Sequence, residues 1–136
     1  MKHGYFGRKL GRNANERRSL FMQLMRSLIS FGRIKTTQAK AKAIQPAIDK
    51  LITKAKKGSN ADINEMRKSL SLETAVRALR EMAKTRFHTR NSGYTRIIKL
   101  GARRGDAAEE VMLEFVDAAP VKAEVVSVKK TKKKKI

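Results

Sequence analysis

His3 and His88 are the only histidines, and there is no cysteine. Little is left from which to build a nucleophile, a general base or a metal cluster. Without thiols there is no disulfide, no thiolate metal site and no cysteine nucleophile. No serine or aspartate stands in a recognisable motif with either imidazole, so nothing suggests a triad. Two histidines alone are a poor ligand set for zinc. Glu73 and Glu81 are carboxylates on a predicted helix beside arginines, and they read as helix-face ion pairs rather than as an acid–base pair. Gly101-Ala102-Arg103-Arg104-Gly105-Asp106 is flanked by glycines but lacks the lysine and serine of a phosphate loop, and no G-x-G-x-x-G is found. No catalytic residue, metal ligand or cofactor is therefore expected, and the chain reads as non-enzymatic.

The abundant chemistry is cationic. Lys plus Arg number 33 against 12 Asp plus Glu, a net charge of +21 over 136 residues. A folded chain of this size repels itself at that charge, and a dense polyanion relieves the repulsion. Nucleic acid is the commonest such partner. Anionic membrane surface is the rival. However, no apolar run approaches the roughly 18 residues of a membrane span. A surface helix would need a wide exposed apolar face, which here is wanted for the core.

The cations fall in two places. Met1 to Arg12 forms a basic arm, with Lys2, His3, Arg8, Lys9 and Arg12 among glycines that let backbone approach a ligand closely, and Arg17 and Arg18 follow in the next turns. The second place runs from Ala83 to Gly105 without a single acid. It carries Lys84, Arg86, Arg90, Arg96, Lys99, Arg103 and Arg104, interleaved with Phe87, His88 and Tyr94. Guanidinium groups bind phosphate bidentately and rings stack on unpaired bases, so this pattern suits RNA. The acids cluster at Asp106, Glu109, Glu110, Glu114 and Asp117. This segregation predicts one basic flank and one less basic flank, hence a one-sided docking surface.

These residues need elements to hold them. Asn13 to Phe31 has helical spacing of Leu20, Phe21, Leu24, Met25, Leu28 and Ile29, with Asn13 and Glu16 placed as a capping box and Gly32 as a stop. Arg33 to Thr37 is a short predicted strand that includes Lys35. A helix capped by Thr36 or Thr37 follows, with Ala43, Ala47, Ile48, Leu51, Ile52 and Ala55 inward, up to Gly58. Pro46 predicts a kink there, or two helices meeting. Ala61 to Ser69 and Leu72 to Lys84 are predicted helices, the second capped by Ser71 and with Leu72, Val76 and Leu79 inward. Tyr94 to Leu100 and Val111 to Asp117 are predicted strands of an antiparallel hairpin, with Val111, Leu113 and Phe115 on one face. The reading is one RNA-binding unit, 1–117, and a disordered basic tail, 118–136, ending in a lysine run. The start of the chain carries no apolar stretch, so no signal peptide is expected.

Four blocks in order carry a resemblance: Met1-Lys2-His3-Gly4 with Gly7 to Arg12; Arg33 to Thr37 with Lys40-Ala41-Lys42; Leu51-Ile52-Thr53 with Ala55 to Gly58; and Arg90-Asn91-Ser92-Gly93-Tyr94-Thr95-Arg96 through Gly101, on to Asp106-Ala107-Ala108. Together they resemble the bacterial large ribosomal subunit protein seventeen family. That resemblance implies an α+β fold, about four helices packed on a small sheet of about three strands. It implies a structural role on large-subunit rRNA near the exit of the nascent-chain tunnel, beside other large-subunit proteins, in the ribosome of the bacterial cytoplasm. It implies no cofactor and no small-molecule substrate. Lys2, Glu16, Pro46 and Ala102 depart from the family's usual residues. A nucleoid-type DNA-binding protein is the alternative with the same charge.

Overall fold

A computed structural model describes His3, Gly4 and residues 7–117. Asn13 begins the ordered fold as read from the sequence. Its side-chain oxygen accepts from the Glu16 N–H at 2.9 Å, and the Glu16 carboxylate accepts from the Asn13 N–H at 3.1 Å. This reciprocal box satisfies two of the donors that a helix start leaves orphaned. Helix α1 then runs Ala14–Phe31 and stops at Gly32, which sits at φ 76°, a left-handed conformation that costs glycine little.

Strand β1, Arg33–Thr37, follows directly. Helix α2, Gln38–Lys57, is a single uninterrupted helix with Pro46 inside it, so the two-helix alternative is excluded. Thr37 occupies its N-cap position but makes no side-chain capping bond. Helix α3, Asn60–Leu70, is capped by Ser59, whose hydroxyl accepts from the Asp62 N–H. Ser71 does not cap the next helix, contrary to expectation. It is the left-handed C-cap of α3, and α4, Glu73–Thr85, starts after Leu72 with no side-chain cap. Leu72 correspondingly leaves the core and stands 44% exposed.

Strands β2, Thr95–Ala102, and β3, Glu109–Phe115, form the antiparallel hairpin. The two strands reach further into the expected loop than the residue pattern suggests, with a register shift between Lys99 and Gly101. Strand β3 is central, in the order β1-β3-β2, and pairs antiparallel with both neighbours. Among the described residues, four helices and three strands make the α+β architecture.

One hydrophobic cluster joins the layers. Met25, Leu28 and Ile29 of α1, Ile44, Ile48 and Ile52 of α2, Met66 and Leu70 of α3, Val76 and Leu79 of α4, and Val111, Leu113 and Phe115 of β3 are all buried in it. Alternation along β3 puts the last three on the helix side, as read from the sequence. In α2 the buried stripe is rotated from the expected one: Ala41 and Ile44 are inside, while Ala43 and Ala47 are half-buried. Asp49 of α2 accepts from the Thr95 hydroxyl at 3.3 Å, and the Gln45 amide donates to the Thr95 carbonyl, so α2 is docked on β2 by polar as well as apolar contacts.

Candidate nucleic-acid interface

The second basic stretch does not behave in space as it does along the chain. Strand β3 runs antiparallel against β2 and brings its acids across to the cations. Arg96 stands opposite Glu114 in register and pairs with it at 2.6 Å. Lys35 of β1 pairs with Glu110 at 2.9 Å, and Arg90 with Asp117 at 3.0 Å. In the β2–β3 loop, Arg103 pairs with Asp106, Nε to Oδ1 at 3.0 Å. The Asp106 carboxyl is lowered to about 2, first by the hydrogen bond from Arg103 and then by the Ala108 N–H. Arg103 is raised above its ordinary value by the same bond. The segregation of signs expected from the sequence is therefore corrected: Lys35, Arg90, Arg96 and Arg103 each already hold a carboxylate.

Tyr94 is corrected as well. It is 1% exposed, and its ring packs against Phe87 at 5.3 Å between centroids, edge to face. Phe87 in turn meets Phe115 at 5.7 Å. The Tyr94 hydroxyl donates to the Asn91 carbonyl at 3.0 Å, and the Lys56 ammonium lies 5.6 Å from the ring centroid. A ring held this way is a core pillar and presents no face to a base. Lys99 and Arg104 are exposed. Neither pairs with a carboxylate among the described residues.

The arm leads to a different arrangement. Lys2 lies outside the described residues, and His3 is exposed. Arg12 is half-buried and donates to the Leu10 carbonyl at 2.8 Å, while Arg17 donates to the Arg12 carbonyl at 3.1 Å. These bonds tie the arm's last residues to the first turns of α1, where Arg18 is exposed. Arg8 and Lys9 then lie over a cleft between α1 and α2. Its lining comprises Gly7, Arg8, Lys9, Arg17, Phe21, Lys42, Ala43, Pro46, Ala47 and Lys50, around a volume of about 650 Å³. Five of these side chains are cations and none is an acid. None of the five pairs with a carboxylate of the described residues. A smaller hollow of about 320 Å³ shares Arg8 and Lys42 and leads toward Thr37 and Glu109.

Local sequence explains the cleft. Arg17 and Phe21 are one turn apart on α1, and Lys42, Pro46 and Lys50 are on successive turns of α2. Each set therefore lines up on one helix face, and the arm closes the end. Sequence reasoning alone misses Lys50, and it reaches Lys42 only through the family resemblance. Their signal is the row Lys42, Pro46, Lys50 at four-residue steps, which reads as a solvated face unless α1 is known to lie alongside.

Cations that remain unpaired within the fold are what a polyanion would use. A family model described as Ribosomal protein L17 matches residues 20–116. The chain belongs to that family. Among its relatives is the large ribosomal subunit protein bL17 of Thermodesulfovibrio yellowstonii, 44% identical over 137 residues, covering 98% of both chains. Another is the protein of the same name from Chloroherpeton thalassium, 43% identical over 91% of this chain and 73% of the relative. A third, from Chloroflexus aggregans, is 42% identical over 85% of this chain and all of the relative. The family named by these comparisons is the one the four sequence blocks resemble.

Proposed function

We propose that this protein is a structural constituent of the large ribosomal subunit, that it binds folded large-subunit rRNA, and that it sits near the exit of the nascent-chain tunnel beside other large-subunit proteins. The names of its relatives support the subunit, and the resemblance of the four blocks implies the location. The observation that carries RNA binding is the cleft: Arg8, Lys9, Arg17, Lys42 and Lys50 converge with no carboxylate among the lining residues.

The mechanism is electrostatic and geometric. Each cation that meets a phosphate releases counterions from the RNA, which contributes roughly 0.7 to 0.9 to the log–log salt slope. Phosphate contacts fix position without reading sequence. Recognition therefore rests on the spacing that α1, α2 and the arm impose on the cations, matched to RNA shape. The cations along the sheet already face carboxylates of their own fold. No step of chemistry is required, and the role is non-catalytic.

Sucrose-gradient sedimentation of the tagged full chain from a bacterial lysate tests this reading. Cosedimentation with the large subunit that withstands moderate salt and excess duplex DNA is expected. Release by duplex DNA, or sedimentation apart from the subunit, would favour the nucleoid alternative and overturn the proposal.

A further inference from the structure

The cleft between α1 and α2 holds more than charge, and its shape carries an inference that rests on the RNA-binding reading. Its rim is cationic, with Arg8 and Lys9 from the arm, Arg17 from α1, and Lys42 and Lys50 from α2. The rest of its lining is apolar: Phe21, Ala43, Pro46 and Ala47. A groove meant only for backbone would need the rim alone. A volume of about 650 Å³ lies within the roughly 300 to 1,000 Å³ of sites that take a small molecule. A ligand that suits this lining carries negative charge together with an apolar face.

We infer that this cleft seats one unstacked RNA base, with the phosphates on either side of that nucleotide held by the rim cations. Single-stranded and bulged RNA splays its bases out, and aromatic side chains receive them. Phe21 supplies an aromatic ring that is only partly buried. Pro46 supplies a rigid apolar surface exposed toward solvent. The base seat thus selects a looped nucleotide over a helical one, and the rim binds any strand.

The test uses the full chain and two synthetic RNAs of equal length and charge, a single-stranded oligouridine and the same ribose–phosphate chain with its central nucleotides abasic. Fluorescence anisotropy at low salt reads both affinities. Wild type is expected to prefer the base-bearing strand by about tenfold, as one stacked base supplies. In Phe21→Leu, which keeps the apolar contact with the core, the preference should shrink to about twofold, with a thermal melt confirming the fold. Equal affinity of wild type for the two strands would overturn the base seat while leaving RNA binding standing. A preference undiminished in Phe21→Leu would place the base elsewhere and overturn the seat too. Failure to bind either strand at low salt would overturn the base seat, while binding to folded rRNA is read separately by the sedimentation above.

Discussion

Arg96 and Glu114 face each other across β2 and β3 at 2.6 Å, with the carboxylate side chain only 14% exposed and the guanidinium 56%. Glu114 also stands opposite Arg33 in the register with β1. An arginine held by a carboxylate adds little net charge to a phosphate contact. Arg96→Ala should therefore change the salt slope for rRNA binding by less than half of what one phosphate contact supplies. Glu114→Gln should steepen it by roughly 0.7 to 0.9, one released cation. Filter binding across a salt series compares the two.

Asp106 gives the clearest pH signature. Arg103 and the Ala108 N–H hold its carboxyl at about 2, below the ordinary 3.8. A depressed acid stabilises the folded loop at pH above its unfolded value. That contribution is lost as pH falls from about 4 through about 2. Carboxyl NMR titration should find Asp106 with a midpoint near 2. In Arg103→Ala the midpoint should rise toward the ordinary range.

Asp49 has the opposite sign. Burial raises its carboxyl above the ordinary value, against the lowering effect of the Thr95 hydroxyl. Its ionisation therefore costs stability as pH rises through and above the ordinary carboxylate range. Asp49→Asn removes the charge and keeps an acceptor for Thr95. Its Tm at pH 7 should exceed that of wild type, and the gap should close at acid pH.

Phe87 and Tyr94 should report on stability alone. Phe87 is fully buried between Tyr94 and Phe115. Phe87→Ala should cost about 3 to 5 kcal/mol in urea unfolding. Tyr94→Phe loses only the bond to the Asn91 carbonyl, about 1 kcal/mol, and should leave the RNA salt slope unchanged.

Pro46 stands in the ninth position of α2, where alanine would restore a helix hydrogen bond. Pro46→Ala should stabilise the protein by on the order of 1 to 3 kcal/mol, as proline's helix penalty is partly offset by its stiffening of the unfolded chain. Thermal unfolding measures the gain. A gain would also account for proline here as a feature of the cleft wall rather than of stability.

Local rules make much of the fold legible. The Asn13–Glu16 box, the Gly32 and Gly58 stops and the alternation of Val111, Leu113 and Phe115 all stand where spacing places them, because each depends on neighbours in sequence. The misreadings share the opposite cause. Ser71 has the side chain of a cap, yet the tight α3–α4 connection draws it into the left-handed region. Tyr94 looks like a stacking residue among arginines until the core claims its ring. The acid-free run from Ala83 to Gly105 reads as a stretch of cations without carboxylate neighbours. Antiparallel pairing instead brings Glu114 beside Arg96, and the chain reversals bring Asp106 and Asp117 beside Arg103 and Arg90. Charge along a strand says nothing of the charge on the strand beside it. The cleft is legible only in halves, one row on each of two helices, because its existence depends on their packing.

The salt dependence of binding to large-subunit rRNA, compared between wild type and the quadruple variant Arg8→Ala, Arg17→Ala, Lys42→Ala, Lys50→Ala, reads the cleft most directly. Removing four phosphate-binding cations should reduce the log–log slope by about 3, with the thermal melt still cooperative. A folded variant whose slope matches wild type would contradict the placement of RNA on this cleft.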